Sequence, residues 1–162
     1  MKKVVGDNFL TTLARQYHAN YQQGQGQMSL SIAVDVAERI KKAGKPARIL
    51  YFCDCDGQGY TMPAVFARKL EFYLRRETGM DAQVKHVALT NEQVAQYHSP
   101  RGLNTTNNKT QQQFSDEYSG FVELDAFVGK HMHVFRQLVT DELDRFYDHD
   151  LDTHVWKYES GL

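Results

Sequence analysis

Asp54 and Asp56 stand two residues apart in Cys53-Asp54-Cys55-Asp56-Gly57-Gln58-Gly59, directly after the apolar run Ile49-Leu50-Tyr51-Phe52. Residues i and i+2 of a strand face the same side, so the two carboxylates can converge on one divalent cation where a buried strand meets solvent. A hard ion such as Mg²⁺, or Mn²⁺ in its place, takes one or two carboxylates and leaves room for phosphate oxygens. Asp and Gly also populate turns for backbone reasons alone. The metal reading therefore depends on what the rest of the chain brings to this corner.

Positioning falls to an alternation of helices and strands. Phe9, Leu10, Leu13 and Tyr17 recur at helical spacing and predict a first helix to about His18. Ser29 predicts the N-cap of a second, with Ile32, Val36 and Ile40 on its buried face and an end near Gly44. The strand Ile49 to Asp54 follows, and Thr61-Met62-Pro63 is expected to open the next helix, with Val65, Phe66, Leu70, Tyr73 and Leu74 as its stripe. Val84 to Leu89 reads as a strand, closed by Thr90 with Gln93 three residues on, the pattern of a capping box. His98 to Gly120 is polar and reads as a long surface loop; Phe121 to Phe127 alternates like a strand. A last helix carries Phe135, Leu138, Val139, Leu143 and Phe146 before an acidic tail.

This order predicts an α/β fold with a mostly parallel central sheet flanked by helices, and ligands at the carboxyl ends of its strands. A chain of 162 residues fits one domain, 1–162, with the polar loop at about 98–120 and the acidic helix and tail at about 130–162. No signal peptide is evident, and no apolar run approaches the ~18 residues of a membrane span, so a cytoplasmic protein without a membrane partner is expected. Cys53 and Cys55 are too close for an ordinary disulfide and too few for a zinc cage.

Net charge is −1, which argues against coating nucleic acid by charge alone. The charge is unevenly placed: Glu38 to Lys85 holds ten Lys or Arg against six acids, and Phe114 to Asp152 ten acids against Lys130, Arg136 and Arg145. A basic flank would suit a polyanion, although solvated helix faces are also rich in Lys and Arg.

The corner Asp54-x-Asp56-x-x-Gly59 after an apolar strand resembles the Toprim domain of topoisomerases, bacterial-type primases and some nucleases. Gly24-Gln25-Gly26-Gln27-Met28-Ser29-Leu30, Tyr51-Phe52-Cys53-Asp54-Cys55-Asp56, Val87-Ala88-Leu89-Thr90-Asn91-Glu92-Gln93-Val94 and Val122-Glu123-Leu124-Asp125-Ala126 together resemble a phage and plasmid group related to the topoisomerase VI A subunit. That resemblance, over Phe9 to Phe127, implies a Toprim-like (Rossmann-like) fold and Mg²⁺ (or Mn²⁺) held by Asp54, Asp56 and Asp125. It also implies Glu123 in acid/base work, and DNA or another nucleic acid as partner. The family's strand-end glutamate falls near Gly6-Asp7, where Asp7 would stand in with a shorter reach. Arg101 and Lys109 in the polar loop would touch phosphate. The resemblance implies a nuclease or nicking activity or a topoisomerase accessory. A complete enzyme of that kind needs a tyrosine from a winged-helix domain, so a partner subunit or homo-oligomer is implied.

Two other classes compete. A DNA- or protein-binding module without catalysis follows if the missing glutamate abolishes cutting. A haloacid-dehalogenase-like phosphatase would use Asp54 as nucleophile and Asp56 as acid/base, but that family wants Thr or Val at Gln58. Asp148-x-Asp150-x-Asp152 with Glu159 mimics an EF-hand loop, yet Thr153 stands where the loop turns on Gly. His131 and His133, two apart on a helix, point in different directions and read as ordinary surface residues. Trp156 and Tyr158 are expected to pack back on the domain or contact another chain.

Overall fold

β1 (Ala47–Phe52) and β2 (Ala82–Ala88) pair in parallel, Ala47 opposite Ala82 through Tyr51 opposite His86, with a register shift that sets Phe52 opposite Ala88. The computed structural model describes residues 7–24, 30–75, 81–102, 109–118 and 120–148. Alternation along the strands supplies two cores. Ala47, Ile49 and Tyr51 of β1 and Ala82 and Val84 of β2 pack on one side, with α2 (Leu30–Ala43) and α3 (Gly57–Leu74) through Ala33, Ala37, Ile40, Phe66, Leu70 and Leu74. Phe52 and Ala88 turn to the other, against α1 (Asp7–Gln16), α4 (Asn91–Gln96), α5 (Lys109–Tyr118) and α6 (Leu124–Asp144). Phe135 of α6 centres that second core, with the rings of Phe9 at 6.0 Å and Phe52 at 5.7 Å. The protein is thus mixed α/β, a parallel pair of strands between helices.

The predicted capping box is formed: Thr90 Oγ1 accepts from Gln93 N at 3.3 Å and Gln93 Oε1 from Thr90 N at 2.9 Å. Three expectations are corrected. α3 begins at Gly57 with Asp56 as its N-cap, four residues before Thr61, so Pro63 lies inside the helix. The polar stretch after His98 contains α5, because Phe114 and Tyr118, four apart, pack as tilted rings with centroids at 4.8 Å and Phe114 meets Tyr60 of α3. Phe121 to Phe127 is no strand: Phe121 and Val122 make single antiparallel bridges to Gly102 and Cys55, and α6 starts at Leu124. The apolar residues there, Leu124, Phe127 and Val128, follow helical spacing into the core. Ser29 lies outside the described residues, as does the tail beyond Asp148.

Candidate functional site: an acidic corner at the end of the first strand

Pairing continues past β1, Cys53 N donating to Ala88 O and Leu89 N to Cys53 O, both at 2.8 Å. The chain then turns. Asp56 takes an extended conformation (φ −145°, ψ 178°) and its Oδ1 accepts from Gly59 N at 2.6 Å, closing the first turn of α3. A Cβ on Gly59 would lie 1.9 Å from the carbonyl oxygen of Asp54, so only glycine lets helix and strand end approach this closely.

The second pair of acids arrives from elsewhere in the chain. Cys55 N donates to Val122 O at 2.9 Å and Val122 N to Cys55 O at 3.0 Å, which sets Glu123 and Asp125 beside Asp54 and Asp56. Gly120 (φ +119°) makes the approach possible, since a Cβ there would meet Gly102 O at 2.3 Å. Asp54 Oδ1 accepts from the backbone N–H of Leu124 at 2.8 Å, so an acid seventy residues away caps α6. Glu123, the residue at the cap position, makes no side-chain cap bond.

Asp54 is exposed as a residue, while its carboxylate is turned into the corner against the start of α6. Burial raises its pKa above the ordinary 3.8; the Leu124 hydrogen bond works the other way, and the charges of Asp56, Glu123 and Asp125 raise it further. The charges that act on Asp54 are all carboxylates.

The thiols are spoken for. Cys53 Sγ lies 3.3 Å from Gly59 O and 3.4 Å from His86 Nε2, and burial together with Asp54 and Asp56 pushes its pKa up to about 12. Burial lowers the pKa of His86, which favours neutral imidazole. Cys55 Sγ donates to Asn91 Oδ1 at 3.2 Å, and burial raises its pKa against the opposing pull of Arg101.

The structure therefore gathers Asp54, Asp56, Glu123 and Asp125. Arg101 is half-buried and donates to Asn91 Oδ1 at 3.1 Å and Gly120 O at 3.2 Å, bracing the bridge behind the corner. Lys109 is exposed at the first residue of α5. Asp7 opens α1, and its side chain is outside the described set. Four cations of the basic middle are held in ion pairs, Arg39 with Asp35, Lys41 with Glu38, Arg48 with Asp81 and Lys85 with Glu142, which is how a solvated surface disposes of its charge. His131 packs its ring against Phe127 at 5.0 Å and Tyr97 at 5.7 Å. Sequence reasoning did not find His86 or Asn91, because register and the Cys55–Val122 bridge decide their nearness and no local pattern encodes either.

Among the described residues no three His, Cys, Asp or Glu side chains form a ready cage for a cation. The donor set suits an ion content with one or two carboxylates plus water and phosphate, the habit of Mg²⁺, and not an all-protein site. Asp54 Oδ2 has no hydrogen-bond partner among the described residues. No helix among them is long and apolar enough to cross a membrane. No family model matches this chain, and neither the curated proteins nor the solved structures include a significant match.

Proposed function

We propose that the chain is a Toprim-like module whose acidic corner takes Mg²⁺ or Mn²⁺ and acts on nucleic-acid phosphodiesters, as a nuclease or as a topoisomerase-related accessory. One observation carries the reading: at the carboxyl end of a parallel strand, Asp54 has its pKa raised first by burial and then by the charges of Asp56 and, from a distant segment, of Glu123 and Asp125. A carboxylate whose charged form is disfavoured in this way gains from a bound cation.

Asp54 and Asp56 would hold the ion directly, with Asp125 on the first turn of α6 acting on it through a bound water. Such an ion supplies charge neutralisation and polarises a phosphodiester. Glu123, exposed and without a side-chain cap bond, would be the group that exchanges a proton with water or a leaving oxygen. Gly59 and the Cys55–Val122 bridge keep the two acidic segments in place.

Thermal unfolding during Mg²⁺ and Mn²⁺ titration tests the ion. Wild type is expected to gain about 2.7 kcal/mol at a hundredfold excess over Kd, and Asp54→Asn/Asp56→Asn to gain nothing. A folded wild type that ignores both ions removes the reading. Supercoiled plasmid separates the two forms of the proposal: nicking lost in Asp56→Asn supports a nuclease, whereas metal-dependent DNA binding without nicking supports the module that binds and does not cut. Asn still caps α3, so the variant folds.

A further inference from the structure

Tyr60 is the most exposed large apolar side chain among the described residues, at 66 %. It ends the first turn of α3, four residues after Asp56, and its N–H donates to Asp56 O at 2.9 Å. One flank of the ring is held. Phe114 of α5, itself buried, lies with its centroid 6.3 Å away at a tilt of 48°, and Tyr118 packs on Phe114 at 4.8 Å. A tyrosine exposed by itself is ordinary. One that rests on a buried ring at the rim of an acidic corner presents a positioned π face.

Charge at the corner limits how a polyanion is recognised there. Asp54, Asp56, Glu123 and Asp125 repel phosphate, and the guanidinium of Arg101 is turned to Asn91 and Gly120. The whole chain carries a net charge of −1. Attraction to phosphate therefore contributes little until a divalent cation is bound. Stacking of a base on an aromatic ring needs no cationic side chain and tolerates any sequence, because every base has a π face. In a duplex those faces are covered by neighbouring bases, so an unpaired strand is what offers one. From Asp56 to Tyr60 the helix rises about 6 Å, roughly two nucleotide steps of about 3.4 Å each. A base resting on Tyr60 leaves a phosphate of the same strand within reach of the corner.

We propose that Tyr60 is a stacking platform that selects single-stranded nucleic acid for the acidic corner, with Phe114 as its support. The inference rests on the reading of that corner as a phosphodiester site and adds to it the class of substrate: an unpaired strand, held through a base face on α3 and a phosphate at the ion.

A short single-stranded DNA carrying one fluorescent purine analogue, mixed with the full chain and Mg²⁺, tests the platform, since stacking quenches such a base. Wild type is expected to quench it, and an excess of duplex of the same sequence is expected not to compete. Tyr60→Phe keeps the ring and should bind as wild type does. Tyr60→Leu keeps Phe114 covered without a π face and should bind about tenfold more weakly. Tyr60 is mostly in water, so both variants are expected to keep the far-ultraviolet dichroism of wild type. Competition by duplex, equal affinity of Tyr60→Leu and wild type, or a wild type that leaves the strand unbound overturns the proposal. The Mg²⁺ titration of wild type separates the two readings. A metal response together with tight binding by Tyr60→Leu removes the platform and leaves the corner, whereas stacking that depends on Tyr60 without any metal response leaves the platform and removes the corner.

Discussion

The two ends of α6 treat carboxylates in opposite ways. At its start, Asp54 lies near Asp56, Glu123 and Asp125, and two of the four carboxylates accept backbone N–H groups, Leu124 N on Asp54 and Gly59 N on Asp56. Near its end, one carboxylate, Glu142, is buried and receives Lys85 Nζ at 2.6 Å and Arg145 at 3.2 Å on the same oxygen, Oε1. Its other oxygen, Oε2, is buried without a hydrogen-bond partner. The Glu142 group neutralises its own charge and ties α6 to β2. At Asp54 burial and the neighbouring carboxylates both work against the charged form, and a carboxylate perturbed in this way at a strand end is the kind of group a ligand site uses.

The comparison breaks most visibly at Gly59. Gly59→Ala places a methyl 1.9 Å from Asp54 O, and overpacking against backbone should cost about 3 kcal/mol in urea unfolding while abolishing any metal response. A variant within a few tenths of wild type would mean that the corner is loose. At the other end, Lys85→Met leaves Glu142 with Arg145 alone. Lys85 is half in water, so the loss should be about 1–2 kcal/mol, below the 3–5 kcal/mol of a fully buried pair, with the metal response unaltered. A metal response that falls with it would show that the two ends are one unit.

Gly129 lies between them in α6, and a Cβ there meets nothing within 4 Å. Gly129→Ala should therefore stabilise by about 0.5–1 kcal/mol in chemical unfolding, and a loss would mean that this turn needs its freedom. The smallest effect is a matter of pH. Because the folded state raises the pKa of Asp54 above 3.8, it holds that proton more tightly than the unfolded chain does, and stability falls as pH rises through that window. Asp54→Asn removes the charge and keeps an acceptor for Leu124 N. In metal-free buffer it should be the more stable protein at neutral pH, with the difference closing as pH falls below 3.8. A wild type more stable than the variant at neutral pH would show that the Leu124 hydrogen bond outweighs the repulsion.

Local chemistry was legible in the sequence and distant pairing was not. Thr90 and Gln93 sit three apart, and their reciprocal bonds need nothing from the rest of the chain. The two strands follow from apolar runs, and the nearness of Asp54 and Asp56 from their spacing. Phe121 to Phe127 misled because Val122 has an extended bridge partner and Leu124 does not; what starts the helix there is a carboxylate seventy residues away. α5 hid in a polar stretch because its anchors, Phe114 and Tyr118, gain their meaning only against Tyr60 of α3. Arg101 donates to Asn91 and Gly120, a partnership set by the loop's return to the corner that no local pattern encodes.

The hydrogen bond from Leu124 to Asp54 also bears on which ions the corner would accept. One lone pair of Asp54 Oδ1 is committed to the helix start, which leaves Oδ2 as the oxygen wholly open to a cation. An ion that binds a carboxylate through one oxygen and keeps its water shell, as Mg²⁺ does, leaves that commitment intact. One that embraces both oxygens, as Ca²⁺ often does, has to share Oδ1 with the Leu124 N–H, which draws electron density from that oxygen and weakens the cap, so its apparent affinity falls by at most about fivefold. Ion selectivity at this corner would then be written into the first hydrogen bond of a helix.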